Sequence, residues 1–325
     1  MLRFKKLILL LIASTAFIFM SACDTGNEPT KLLNPKDMLV EVQSPYSTEV
    51  TKNKIVQNII DLPGWGLAKG QAISFSDLLN KDWGGLQVDS LYAIEICNPD
   101  YSGTILSEDK NKFASVMMPC VISVYQKGDG KTYVSYMNAR IMGKIFQNFP
   151  TIQEYMGTKI AEDQDKMMDF LTLPSNDWGE SLPGMNEKEM VFDQQSLLGS
   201  IEETVDSIRH RVEEIEGWEF FLKRETEHLD EVIKTKRPGQ YDDLKKVRLI
   251  EICNKNYSRR ILGESENCFV SVMLPCTIAV YEKSDGTIWI TRLRTDRLGQ
   301  IWGGTIEDVM SSLVADDVSR MVIGN

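Results

Sequence analysis

Ile94-Glu95-Ile96-Cys97-Asn98, followed by Met118-Pro119-Cys120 and Val124-Tyr125, sets the architecture of the chain. It returns 156 positions later as Ile250-Glu251-Ile252-Cys253-Asn254, Leu274-Pro275-Cys276 and Val280-Tyr281. Between residues 94–130 and 250–286, 23 of 37 positions are identical. A spacing this long, against about 20–50 residues for solenoid repeats, means duplication of a whole domain.

Outward from that stretch the elements follow in order. Leu91 to Cys97 reads as a strand. Asn98 as cap and Pro99 at the first helical position predict a helix to Leu106. Ser115–Tyr125 and Thr132–Met137 read as strands joined by the turn Lys127-Gly128-Asp129-Gly130. Upstream lie a strand Met38–Val42, a helix Ser47–Leu62 with Ile55, Val56, Ile59 and Ile60 on one face, and a short helix Ser74–Leu79. Downstream, Thr151-Ile152-Gln153-Glu154 reads as a capping box that opens a helix to Phe170.

The second half repeats the order. Met190–Phe192 matches the Met38 strand, and Gly217-Trp218 matches Gly64-Trp65. Ser200-Ile201-Glu202-Glu203 is a capping box, and Ile201, Val205, Ile208, Val212 and Ile215 form a helical stripe. A closing helix runs from Thr305 to about Met321. The expected domains are residues 37–170 and 189–325. A Pro- and Gly-bearing linker, 171–188, joins them, with Leu171, Leu173 and Trp178 partly docked. Helices mixed with strands, without strict βαβ alternation, predict the α+β class: two tandem repeats of an α/β sandwich, with helices packed on a mixed or antiparallel sheet.

The amino end reads as an export signal. Arg3, Lys5 and Lys6 precede an apolar run from Leu7 to Phe19, which is short for a spanning helix. Ser21-Ala22-Cys23 then resembles a bacterial lipobox. The expectation is a lipoprotein signal peptide at 1–22, lipidation of Cys23 by palmitate-type acyl chains, and a tether at 23–36. The protein would then be anchored to a membrane of the bacterial cell envelope, facing the periplasm or the exterior.

Net charge is −11 over 325 residues. An acidic surface repels phosphate backbones, so nucleic-acid binding is excluded as the expectation. No G-x-G-x-x-G or Walker sequence occurs. With only His210 and His228, neither at ligand spacing from a cysteine, no zinc site and no Ser-His-Asp set can be assembled.

The repeated polar residues are the remaining candidates for chemistry. Cys97 and Cys253, with Glu95 and Glu251 beside them, are the candidate thiol and base positions if the protein does thiol chemistry. Cys97 precedes a helix N-terminus, which favours thiolate, whereas the charge of Glu95 disfavours it. Cys120 and Cys276 share parity with apolar neighbours and read as buried in their strands. Cys97/Cys120 and Cys253/Cys276 remain open as packed thiols, disulfides or redox couples. Met117, Met118 and Met273 beside cysteine suit copper(I) in principle and core filling more simply. For Glu95 and Glu251 the simpler reading is a solvated or ion-paired strand residue. Asn98 and Asn254 read as helix caps.

Both units resemble the bacterial and archaeal family called domain of unknown function 302. The resemblance rests on Glu95-Ile96-Cys97-Asn98-Pro99, Met118-Pro119-Cys120 and Val124-Tyr125, and on their counterparts in the second unit, where Lys255 replaces the proline. It implies a compact α/β sandwich and neither a reaction nor a cofactor. The expected function is a non-enzymatic envelope lipoprotein, its two domains packed as a pseudo-two-fold pair and binding an envelope protein or a small ligand. A thiol-dependent redox enzyme or carrier is the alternative, and haem or copper(I) binding a third.

Overall fold

The computed structural model describes residues 35–81, 90–174, 186–223 and 227–323. The signal peptide, Cys23, nearly all of the tether and Trp178 lie outside the described residues. The first half forms an antiparallel sheet of β1 (Leu39–Ser44), β2 (Gly66–Leu67), β3 (Ile73–Ser74), β4 (Leu91–Cys97), β5 (Cys120–Gln126) and β6 (Thr132–Met137). Their order is β1-β6-β5-β4-β2, with β3 also paired to β4. The second half repeats it with β7 (Val191–Gln195), β8 (Trp218–Phe220), β9 (Glu227–His228), β10 (Val247–Asn254), β11 (Cys276–Glu282) and β12 (Ile288–Leu293). There the order is β7-β12-β11-β10-β8, with β9 on β10.

Register assigns the two faces of each sheet. Val40, Tyr136, Ile122 and Ile94 align across β1, β6, β5 and β4. That apolar row faces the helix Thr48–Asp61, whose Ile55 and Ile59 are fully buried. Burial of each such side chain contributes about 1.5–3 kcal/mol. Ser47 caps this helix by accepting from the Val50 amide. The alternate row, Glu41, Ser135, Ser123 and Ala93, faces the other half of the chain, where the Ser135 hydroxyl donates to the Phe269 carbonyl at 2.9 Å. A one-layer antiparallel sheet would leave this row in water. Here the 3₁₀ segment Ser265–Met273 covers it, and Asp109–Met117 likewise lies against β11 and β12. Both faces of β4 and β10 are therefore buried, which explains their almost unbroken burial.

Several side chains bind the halves together. Lys112 donates to the Glu282 carbonyl at 2.9 Å, and the Ser284 amide donates to Asp109 at 2.9 Å. Lys127 joins Glu266 at 3.1 Å. Arg237 grips Asp100 through two hydrogen bonds of 2.5 and 2.6 Å, which holds that carboxyl below the usual aspartate range. The Tyr241 ring packs against the helix Pro99–Leu106 at Gly103, and its hydroxyl donates to the Asp100 carbonyl. Gly103 makes this approach possible, since a Cβ there would come within 2.6 Å of the Tyr241 ring.

Strands β4 and β6 and the helix Pro99–Leu106 match the sequence expectation residue for residue. The expected strand Ser115–Tyr125 does not. Its first part belongs to the 3₁₀ segment, the chain turns at Met118-Pro119, and β5 starts at Cys120. Residues 111–117 are buried without a break rather than in alternation, against the facing sheet. Thr151 is no N-cap either: the helical stretch starts at Pro150, and the Thr151 hydroxyl instead donates to Glu108. Met190 ends a short helix, and β7 begins one residue later. The helices Ala139–Ile145, Leu229–Lys236 and Thr295–Trp302 add to the expected set.

Candidate functional site

Each half contains a small chamber at the end of its sheet. In the first, the Trp65 indole donates to Asp163 at 2.8 Å, and the Tyr101 hydroxyl donates to the same oxygen at 3.0 Å. The two rings meet edge to face, 5.8 Å apart. The second half reproduces this with Trp218, Tyr257 and Asp317 at 2.9 and 3.0 Å. Cavities of about 30 and 50 Å³ lie against these groups, lined by Cys97 with Cys120 and by Cys253 with Cys276.

Asn98 and Asn254 set the chamber walls. Each side chain accepts from two amides at the start of the next helix, as a cap does. Cys97 then sits 3.4 Å from the Ser102 hydroxyl, and Cys253 sits 3.2 Å from Ser258. Cys97, Cys120, Cys253, Cys268 and Cys276 are free thiols. Cys120 and Cys276 open β5 and β11 and are half-buried, not fully buried as strand parity implied. Burial in apolar surroundings raises the Cys97 thiol and pushes Cys253 up to about 11 and Cys120 and Cys276 up to about 12. The helix N-terminus after Cys97 does not reverse this. At neutral pH these thiols are protonated, and the protonated form is the poor nucleophile.

Glu95 and Glu251 do not serve the thiols. They meet at the junction of the halves, where Lys69 enters from the turn after β2. Its ammonium lies 2.6 Å from Glu227, 2.9 Å from Glu251 and 3.5 Å from Glu95. The Lys69 side chain is 2% exposed, Glu95 1% and Glu251 4%. Burial lowers the Lys69 pKa, but the charges of Glu251 and Glu95 outweigh it and raise the value. Three carboxylates surround one ammonium, so Glu95 retains a proton. Burial first, and the Glu251 charge next, push it up to about 8. Of the simple reading, solvated or ion-paired, the structure keeps the ion-paired half: both glutamates pair with Lys69 and are buried because the opposing domain covers their face of the sheet.

Strand pairing also shows where the halves diverge. Leu67 and Phe220 pair with the matching residues Ile96 and Ile252, which makes Leu222 the counterpart of Lys69. Ile73 and Glu227 pair with the matching residues Ala93 and Leu249. Lys69 and Glu227 are therefore each private to one half. Both belong to the junction site and escaped the sequence reading, since neither lies in the repeated stretch or in a periodic pattern. Their signal was a mismatch: a lysine and a glutamate, each standing at a position where the other copy has an apolar residue.

The histidines stand apart from both sites. His210 is exposed beside Glu214, and His228 contacts Glu231 at 2.9 Å. Among the described residues no three His, Cys, Asp or Glu side chains are placed to hold a metal ion, and no helix is long and apolar enough to cross a membrane.

A family model described as "Domain of unknown function DUF302" matches residues 40–171 and again residues 193–322. No curated protein matches the chain. Among solved structures, the crystal structure of an uncharacterized conserved DUF302 protein from Bacillus stearothermophilus is similar at 18% identity, with a TM-score of 0.35. It covers 42% of this chain and 98% of its own.

Proposed function

The chain belongs to the DUF302 family in two consecutive copies, and on that premise we propose a non-catalytic binding module held at a bacterial cell envelope by lipid on Cys23. The two domains act as one pseudo-two-fold unit. The observation that carries this reading is the Lys69 cluster, which takes Lys69 and Glu95 from one domain and Glu227 and Glu251 from the other. Removing Lys69 alone would strand these buried carboxylates at a cost of about 3–5 kcal/mol, so the cluster is built for the joined arrangement. The protonated thiols count against a catalytic reading.

Anchoring is supported by the apolar run ending in Ser21-Ala22-Cys23. Cys23→Ser should move the protein from membranes to the soluble fraction and remove the acyl mass. Retention in membranes with unchanged mass would refute anchoring. Thiol titration separates the binding reading from thiol redox chemistry. In the native protein Cys97, Cys120, Cys253, Cys268 and Cys276 should react slowly, and all five should react after denaturation. A fast native reaction at Cys97 or Cys253 would favour the redox reading.

A further inference from the structure

A third cavity, of about 60 Å³, lies between the domains. A water needs roughly 10–15 Å³, so there is room for a short organic molecule. Glu95 and Glu251 share its wall with Met117, Met142, Met156 and Met273. Glu95 is 1% exposed, and neither of its carboxylate oxygens has a hydrogen bond. Its nearest cation, Lys69, stands 3.5 Å away and directs its hydrogen bonds to Glu227 and Glu251. Lys69 does not line the cavity. The cavity thus presents a buried acid that is ion-paired to Lys69 at 3.5 Å but accepts no hydrogen bond, beside a largely apolar surface.

The charge balance and the lining define what fits. With Glu95 protonated, Glu227 and Glu251 still outnumber the one ammonium, and a second ammonium arriving at Glu95 would displace its proton. The cluster already accommodates an ammonium head between glutamates at 2.6 and 2.9 Å. Such a head offers three donors and no acceptor, matching carboxylate oxygens. A hard metal ion instead needs about six to eight oxygen ligands, which methionines do not supply. Methionine is flexible and adapts to an alkyl chain.

We propose that this cavity binds a small primary ammonium compound with a short alkyl tail, its head on Glu95 and its tail along the methionines. The site rests on the two-domain unit, because Glu251 and Met273 come from the second domain.

The test is a titration of the mature chain, carrying ¹³C at its methionine methyls, with n-butylammonium chloride. n-Butanol and sodium butyrate serve as controls. The Met117, Met142, Met156 and Met273 methyls should shift saturably, while those of Met190 and Met321, buried outside this cavity, should stay. n-Butylammonium should bind about tenfold tighter than n-butanol or more, as a hydrogen bond to a charged group implies. Glu95→Gln should abolish that margin and leave n-butanol binding unchanged. Equal binding of the three compounds, or an undiminished margin in Glu95→Gln, overturns the proposal. If that variant does not fold, the comparison of ammonium with alcohol on the unaltered protein decides alone. Relaxation in the same sample separates the two levels of the reading. Tumbling as one body without cavity shifts overturns the ligand and leaves the two-domain unit standing, whereas independent tumbling of the halves overturns both.

Discussion

The two halves agree in their chambers and disagree at their junction. Trp65, Tyr101, Asp163, Cys97 and Cys120 have partners in Trp218, Tyr257, Asp317, Cys253 and Cys276, with matching hydrogen bonds. Lys69 and Glu227 have Leu222 and Ile73 instead. A constellation kept twice serves each domain's own packing equally well. A charge present once, at the place where the copies meet, serves only the pair. The difference locates the specific chemistry of this chain at the junction and its shared architecture in the chambers.

The largest expected effect tests that division directly. Lys69→Met leaves buried carboxylates without their cation and should cost about 3–5 kcal/mol in chemical denaturation. Leu222→Met at the equivalent, partly exposed position should change stability by less than about 0.5 kcal/mol. Similar losses at both positions would erase the asymmetry.

A pH series sharpens the same contrast. Folded Glu95 keeps its proton up to about 8, whereas a free glutamate releases it near 4.5. Between those values the folded state binds more protons, so stability falls as pH rises. The stabilisation is fully present below 4.5 and lost as pH passes 8. Subtracting the Glu95→Gln profile from that of the natural protein should leave a slope approaching one proton per molecule over this window. A flat difference would place Glu95 outside the charged cluster.

Next in size is the contact at Gly103. A Cβ there meets the Tyr241 ring, so Gly103→Ala should cost about 1–3 kcal/mol. Adding Tyr241→Ala should relieve most of that strain, as a double-mutant cycle would register. Additive losses would mean that the two residues do not press on each other.

The smallest effect should be the same in both halves. Cys120→Ser and Cys276→Ser each place a hydroxyl against apolar neighbours and should cost about 1–2 kcal/mol by thermal melting. Unequal losses would show that the chambers differ in packing despite their shared residues.

What was legible in the sequence followed from local rules. Asn98-Pro99 specified the start of its helix, because a cap and a first-turn proline act over a few residues. The Lys127–Gly130 turn fixed the β5–β6 hairpin for the same reason. The segment Ser115–Pro119 was misread because a short apolar run suits a strand or a tight helix equally, and the surface it packs on belongs to the other domain. Thr151 resembled a cap by spacing, but its hydroxyl found Glu108, distant in sequence. The glutamates at 95 and 251 were visible as repeats. Their burial was not, since strand parity cannot reveal that a second domain covers the polar row. Lys69, in a turn without periodicity, acquires meaning only when the two sheets meet.

Whether the two domains hold together as one body through that junction is decided by small-angle scattering of residues 37–325. One body of this length should show a radius of gyration of about 19 Å and a single-peaked distance distribution. A larger radius with two separated maxima, unchanged by Lys69→Met, would contradict the single body.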